Sequence, residues 1–370
     1  MKPWTPWLQR LWRWTAGLVG LAALLLAVGI GAFRLAIELL PGYQERVVAR
    51  VHEATGLTLK FDSVYARIGR YGPELVFRGA RVLPDSGDAP LVTAVAGRVS
   101  LSIPRSIWFR RLEVARVSFV QPRLSFVITP DGRIRLVGQS ALQRPDAAER
   151  PMTLDRFPRG HFAVTDAVLD VLDLRARQGR FELTGADLDV VREGNEITLA
   201  GRVDLPEHLG AFIDLEGEAS GNLADSAAVS WRARVDARDL DLAQWAALLP
   251  DSFRVPTEGH GSIRVSVRGT GASISSMRVQ PDLEDFRAAG SDQVFSRVGG
   301  DIRVQRDDTT LSLEATELEL ARPGAPWRPT NLEARLSRKD GRIATVAVRA
   351  DYLRLENLAA LAGALPPGAV

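Results

Sequence analysis

The sequence predicts a mainly β protein held behind one apolar membrane helix, and three observations predict it. Gly17–Phe33 is an apolar run without a single charge. From Leu57 onward, segment after segment alternates apolar and polar residues with the period of a strand. Turn-forming triplets separate those segments: Pro130-Asp131-Gly132, Glu193-Gly194-Asn195 and the pair Asp340-Gly341 each sit where a hairpin loop belongs.

With Trp14–Ala16 the apolar run reaches about twenty residues, roughly 30 Å of helix and the thickness of a bilayer's hydrocarbon core. Trp14, Leu18, Leu21, Leu24, Leu25, Leu26, Ile30 and Phe33 are its candidate membrane-facing residues. Lys2, Arg10 and Arg13 precede it without an acidic residue, among Trp4, Trp7 and Trp12. Basic flanks stay cytoplasmic and indole rings favour the interface, so residues after Arg34 are expected across the membrane. A cleaved signal is the rival, with Gly29, Gly31 and Ala32 as small residues near a cut. Signal cores run about 7–15 apolar residues, shorter than this one, which favours an uncleaved anchor.

Composition agrees with export. The chain has no cysteine, so it has neither a disulfide framework nor a thiolate metal site. Lys+Arg number 47 against 45 Asp+Glu, interspersed, with no basic stripe that would mark nucleic-acid binding.

Taken in order, Glu38–Ala54 is predicted as a helix, with Pro41 near its start and Gly56 as its stop. Val99, Leu101 and Ile103 then oppose Arg98, Ser100 and Ser102, and Leu124, Phe126 and Ile128 oppose Arg123, Ser125 and Thr129. Val203 belongs to the apolar set of Ile197–Leu205, Leu215 to that of Ile213–Ala219, and Trp231 to that of Val229–Val235. Val265 and Leu313 sit in two further alternating segments. Gly138–Gly160 lacks alternation and carries Pro145, Pro151 and Pro158, which makes it the best candidate linker. The chain therefore divides into an anchor (1–40), a first β segment with its helix (41–137), a linker (138–160) and a second β segment (161–370). Within the last, Ala237–Pro250 resembles Ala350–Pro366, each a strand running into a short helix closed by proline. The chain stops just after the second copy, so the array is expected to continue in a longer protein.

Tens of apolar side chains, each contributing roughly 1.5–3 kcal/mol when buried, need a cover, yet few helices are evident. A two-sheet sandwich and a curled sheet enclosing acyl chains both satisfy that need. Catalytic chemistry has no foothold. His52, His161, His208 and His260 are scattered without metal-ligand spacing, and no nucleophile elbow or Walker motif is present. Gly269-Thr270-Gly271 is a lone G-x-G that predicts a loop, and Asp282 with Glu284 and Asp285 a solvated edge. No catalytic residue, metal ligand or cofactor is assigned, and an enzyme is not expected.

The segment His52–Leu83, with its Ala54-Thr55-Gly56 and Gly72-Pro73-Glu74-Leu75, resembles the opening of AsmA-like envelope proteins of the YhdP type. Leu112–Leu136, Leu199–Asp225 and Arg238–Pro250 extend that resemblance over nearly all of the chain past the anchor. The resemblance implies a long, curled antiparallel β-groove with a few short helices, rooted in the inner membrane of a Gram-negative cell and facing the periplasm. It implies kinship with bridge-like lipid carriers that pass phospholipid toward the outer membrane, with acyl chains, the inner membrane and possible far-end envelope proteins as partners. On that basis Val99, Leu101, Phe126, Ile128, Val203, Leu215, Trp231, Val265 and Leu313 are candidate groove-lining residues. A structural or regulatory protein with a closed β-sandwich that binds other proteins is the alternative.

Overall fold

The computed structural model describes residues 57–69, 72–84, 92–102, 114–130, 134–136, 160–175, 180–248, 256–289, 291–307, 309–325, 327–339 and 342–352, with positions 90, 108 and 354. The candidate anchor, the helix expected over Glu38–Ala54 and the second strand-to-helix copy beyond Tyr352 lie outside the described residues, but for Arg354. No described helix is long and apolar enough to cross a membrane.

Among the described residues, seventeen strands follow one another. The first group is β1 (Leu57–Lys60), β2 (Ser63–Gly69), β3 (Gly72–Pro84), β4 (Val92–Leu101), β5 (Val114–Ile128) and β6 (Ile134–Leu136). The second is β7 (Gly160–Asp173), β8 (Arg180–Glu193), β9 (Glu196–Asp204), β10 (Phe212–Ser220), β11 (Ser230–Asp241) and β12 (Glu258–Thr270). The last is β13 (Ser273–Arg287), β14 (Val294–Arg306), β15 (Thr310–Ala321), β16 (Thr330–Lys339) and β17 (Arg342–Ala350). A short α-helix, α1 (Leu242–Leu248), lies between β11 and β12.

The ladders join neighbours in sequence into a single sheet. β1 and β2 lie end to end along one edge of β3, and β4 and β6 share one edge of β5 in the same way. From β7 to β17 every strand pairs antiparallel with the next. The expected all-antiparallel sheet is corrected at one place: β7 pairs with β5 in parallel, Arg116 opposite His161 through Ile128 opposite Asp173. A parallel pair needs a crossover of a dozen residues or more, and positions 137–159 provide that length. No ladder among the described residues joins β17 to β1 or β2, so the sheet is open and is not a closed sandwich.

A seam of left-handed residues crosses this sheet. Gly79 on β3, Gln121 on β5, Asp166 on β7, Gly185 on β8, Asp239 on β11 and Glu317 on β15 all have φ between 49° and 65°. The registers place them side by side. Gly79 falls between the pairs Arg78–Ala96 and Ala80–Ala94, and Gln121 between the pairs of β4 with Val120 and Pro122. The ladders slip by one residue at Asp166, Gly185, Asp239 and Glu317. A left-handed conformation costs a non-glycine residue roughly 1–2 kcal/mol. Side chains on the next strand compensate by taking the displaced amides. Asp166 N–H donates to Asp187 Oδ1 at 2.8 Å, Asp239 N–H to Ser262 Oγ at 3.3 Å, and Glu317 N–H to Asn331 Oδ1 at 3.3 Å. Extra residues of this kind bend a strand and sharpen its twist, so a line of them curls the whole sheet.

Beyond the seam, on the α1 side, the apolar face is filled by the protein itself. Leu205, Leu209, Leu240, Leu242, Leu283, Phe295, Val298, Leu318, Leu320 and Trp327 form one buried cluster. Asp241 caps α1 by accepting from Ala243 N–H at 3.1 Å and Gln244 N–H at 3.3 Å. Trp245 and Trp327 donate their indole N–H groups to the carbonyls of Leu209 (2.9 Å) and Leu318 (2.8 Å), so neither ring leaves an orphan donor as it packs.

The opposite face is an ionic lattice. Asp236 sits between Arg264 and Arg238, and Asp301 between Arg278 and Arg303. Burial pushes the Asp236 carboxyl up, but hydrogen bonds from Arg264 and Arg238 outweigh it and hold the group below its ordinary value. The hydrogen bond from Arg278 lowers Asp301 in the same sense.

Gly261 has φ +141°, and a Cβ there would stand 2.1 Å from Asp282 O, so Gly261→Ala is expected to cost about 3 kcal/mol. Gly194, at φ +61° with nothing within 4 Å of the place a Cβ would take, is expected to lose only about 1 kcal/mol as alanine. Urea denaturation of the two variants measures the difference. Because the folded pKa values of Asp236 and Asp301 are depressed, their stabilisation is complete above about pH 4 and is lost as the pH falls through the lower folded values. Asp236→Asn should therefore flatten the acid limb of Tm against pH while leaving its slope near neutrality unchanged.

Candidate functional site: an apolar sheet face

Residues directly opposite across a ladder share a face of the sheet, so the registers trace rows from one edge to the other. One row runs Val64–Phe77–Gly97–Phe119–Val164–Leu188–Gly201–Leu215, one residue from each strand from β2 to β10 except β6. It continues Val235–Val265–Val279–Ile302–Ala315–Leu332–Ala350 to the last strand. A parallel row, two residues nearer the hairpin ends, runs from Ala66, Leu75, Val99 and Val117 to Val304, Leu313, Ala334 and Val348. Neither row contains a polar side chain. At about 4.8 Å per strand, each is a greasy floor of roughly 65–70 Å.

The row between them on the other face has the opposite character. Arg98, Asp189, Glu216, Arg234, Arg278, Arg303, Glu314, Glu333 and Arg349 all fall on it. Period-two alternation in each strand thus becomes two chemically distinct surfaces when the registers align.

The registers place the candidate lining residues as follows. Leu215 and Val265 stand in the first row, and Val99 and Leu313 in the second. Val203 pairs with Ile213 one step toward the seam. Trp231 stands one step toward the hairpins, its ring over Gly269 and its Nε1 donating to Gly271 O at 2.9 Å. Phe126 and Ile128 lie past Gln121 on β5, opposite Val171 and Asp173. Leu101 ends β4 opposite Val114, and its side chain lies outside the described residues. The rows add Phe119, Phe162, Leu188, Ile302 and Leu332, each carrying the same alternation.

Burial divides this face at the seam. Toward α1, Phe295, Leu320 and Leu209 have 2 % exposure or less. Toward the hairpins Phe77 and Val190 are buried and Ile302, Leu313 and Leu332 pack partly against the cluster, while Ile68 at 57 %, Leu215 at 37 %, Ile274 at 50 % and Val346 at 60 % stay open to solvent. One half of the face is therefore a finished core and the other a partly uncovered floor.

The ionisable groups weighed for chemistry are structural or solvated. His161 Nε2 meets Asp189 Oδ1 at 2.5 Å, and His260 lies 3.5 Å from Glu284. Asp282 pairs with Arg297 at 3.1 Å on the charged face. Among the described residues no three His, Asp or Glu side chains converge as a metal site. Gly271 forms the β12–β13 hairpin turn at φ 56°, a loop as the lone G-x-G predicts.

The split in burial predicts a split in mutational cost. Phe295→Ala empties a fully buried site and is expected to cost about 3–5 kcal/mol, whereas Leu215→Ala should cost less than about 1.5 kcal/mol. Equilibrium unfolding checks both, and comparable costs would mean the floor is also a packed core.

Comparison with known protein families gives one match, to the family described as YhdP protein, over residues 1–369. The chain belongs to the YhdP family. No curated protein and no solved structure matches it.

Proposed function

We propose that this YhdP-family chain is a non-enzymatic lipid-transfer protein that carries phospholipid acyl chains on the partly uncovered half of its apolar sheet face. The observation that supports this is the pair of lateral rows, apolar from β2 to β17 without interruption. A solvent-exposed apolar floor of that length is costly unless something covers it, and large contiguous patches of this kind mark binding surfaces. An acyl chain is a suitable cover, because each methylene removed from water contributes about 0.8 kcal/mol. A floor roughly twice the thickness of a hydrocarbon core holds several chains side by side. Headgroups remain in water, since burying them unpaired is costly.

In the same proposal Gly17–Phe33 spans the inner membrane, with the N-terminus cytoplasmic and the sheet in the periplasm. The first strand follows the candidate anchor by a few tens of residues, which keeps the floor close to the bilayer surface. Transfer toward the outer membrane is the direction the family resemblance supports.

Replacing Leu215, Val265 and Val348 together with aspartate places three charges on the floor, at positions that do not pack against the cluster around Phe295. The wild-type chain, gently extracted and examined by native mass spectrometry, is expected to carry phospholipid, and the triple variant to lose most of it with its strand signal intact. Equal lipid content in the two proteins, with equal complementation of a deletion strain, overturns the proposal.

A further inference from the structure

We infer that lipids enter and leave this face along its hairpin rim, and that Arg306 holds a headgroup phosphate there. The inference rests on the lipid-binding function proposed above and adds the side of entry and the headgroup contact.

The two long rims of the sheet are unlike. From β9 to β16 the α1 rim is closed by the protein's own side chains, since Leu205, Leu209, Leu242 and Trp327 are all buried there. The other rim has short turns such as Glu193-Gly194-Asn195 and Thr270-Gly271-Ala272, and no described element of more than one turn folds over the face from it. The exposed apolar residues of the face gather on that side: Ile68, Ile274, Leu311 and Val346 stand in the last row before the hairpins. An acyl chain approaching from the hairpin rim meets open apolar surface at once, whereas one approaching from the α1 rim meets a packed core.

Charge marks the same rim. Among the face residues on the hairpin side of the seam whose side chains are described, the exposed charged one is Arg306. It stands opposite Leu311 in the row nearest the turns. Arg192, in the same row opposite Ile197, is 8 % exposed and donates through Nε to Gly194 O at 3.4 Å, so it belongs to the packing. An exposed guanidinium at the wet edge of a greasy floor matches a molecule that is apolar in its chains and carries a phosphate at its end.

The test uses the full chain reconstituted with vesicles of dioleoylphosphatidylglycerol, and photo-cross-linking benzoylphenylalanine placed singly at five positions. Ile274 and Leu311 report the hairpin rim, Leu174 and Gln244 the opposite rim, and Val265 the floor between them. Strong lipid adducts at Ile274 and Leu311 with background at Leu174 and Gln244 are expected. Adducts mainly at Leu174 and Gln244, with Val265 also labelled, overturn the assignment of the rim but not lipid binding. No adduct at any of these sites, Val265 included, overturns lipid binding itself. For the headgroup, wild type should retain dioleoylphosphatidylglycerol over dioleoylglycerol, and Arg306→Gln should narrow that preference by about fivefold. Arg306 is exposed, so this variant keeps the fold. Unchanged preference in Arg306→Gln overturns the phosphate contact.

Discussion

Parity is the constraint on which the rest of this structure depends. In a strand every second side chain faces the same way, so one inserted residue would turn the apolar set outward. The sheet needs inserted residues to curl, and it needs one continuous apolar face. Both are met because the left-handed residue takes the extra position and the alternation resumes in the opposite phase of sequence. On β15 the apolar residues are Leu311 and Leu313 before Glu317, and Leu318 and Leu320 after it. On β11 they are Val235 and Ala237 before Asp239, and Leu240 after it. Since neighbouring strands bend at the same height, their ladders stay paired through the seam, and Asp187, Ser262 and Asn331 take the amides that the bend displaces.

The two faces then follow different rules. On the charged face, cross-strand arginine–carboxylate pairs such as Arg202 with Asp214 and Arg264 with Asp236 hold the registers, and exposure keeps the first of them worth little alone. On the apolar face the stabilisation is uneven. The cluster around Phe295 supplies an anchored core, and the floor toward the hairpins is left half open. A surface that exchanges apolar ligands has to be uncovered somewhere. Confining that cost to one rim allows the other to stay folded without a ligand.

Much of this was legible in the residues. The alternation marked the strands and named members of the apolar face, Gly194 marked a hairpin that forms where expected, and Gly271 lies in the loop that the lone G-x-G predicts. The change of phase around Glu317 was also present in the sequence, as two apolar pairs of opposite parity, though it reads as two strands until a bulge is considered. The parallel join of β5 and β7 was not legible, because alternation is the same in parallel and antiparallel neighbours. The burial of Trp327 was also hidden, since it follows a proline-rich stretch with no periodicity, and tertiary contacts fix it in the core: its indole bond to Leu318 and its ring against Tyr352.

The sequence by itself determined which side chains of each strand are greasy and which are charged, because a period of two needs no partner to be read. It also determined family membership, which spans residues 1–369. The tertiary structure decided which strands neighbour which, that the sheet stays open, and that one half of its apolar face is packed while the other is partly uncovered. Those outcomes rest on register and on long-range contacts such as Trp245 with Leu209 and Phe295 with Phe286, which join residues far apart in the chain or on different strands. Local pattern specifies a surface, and only the fold specifies what covers it.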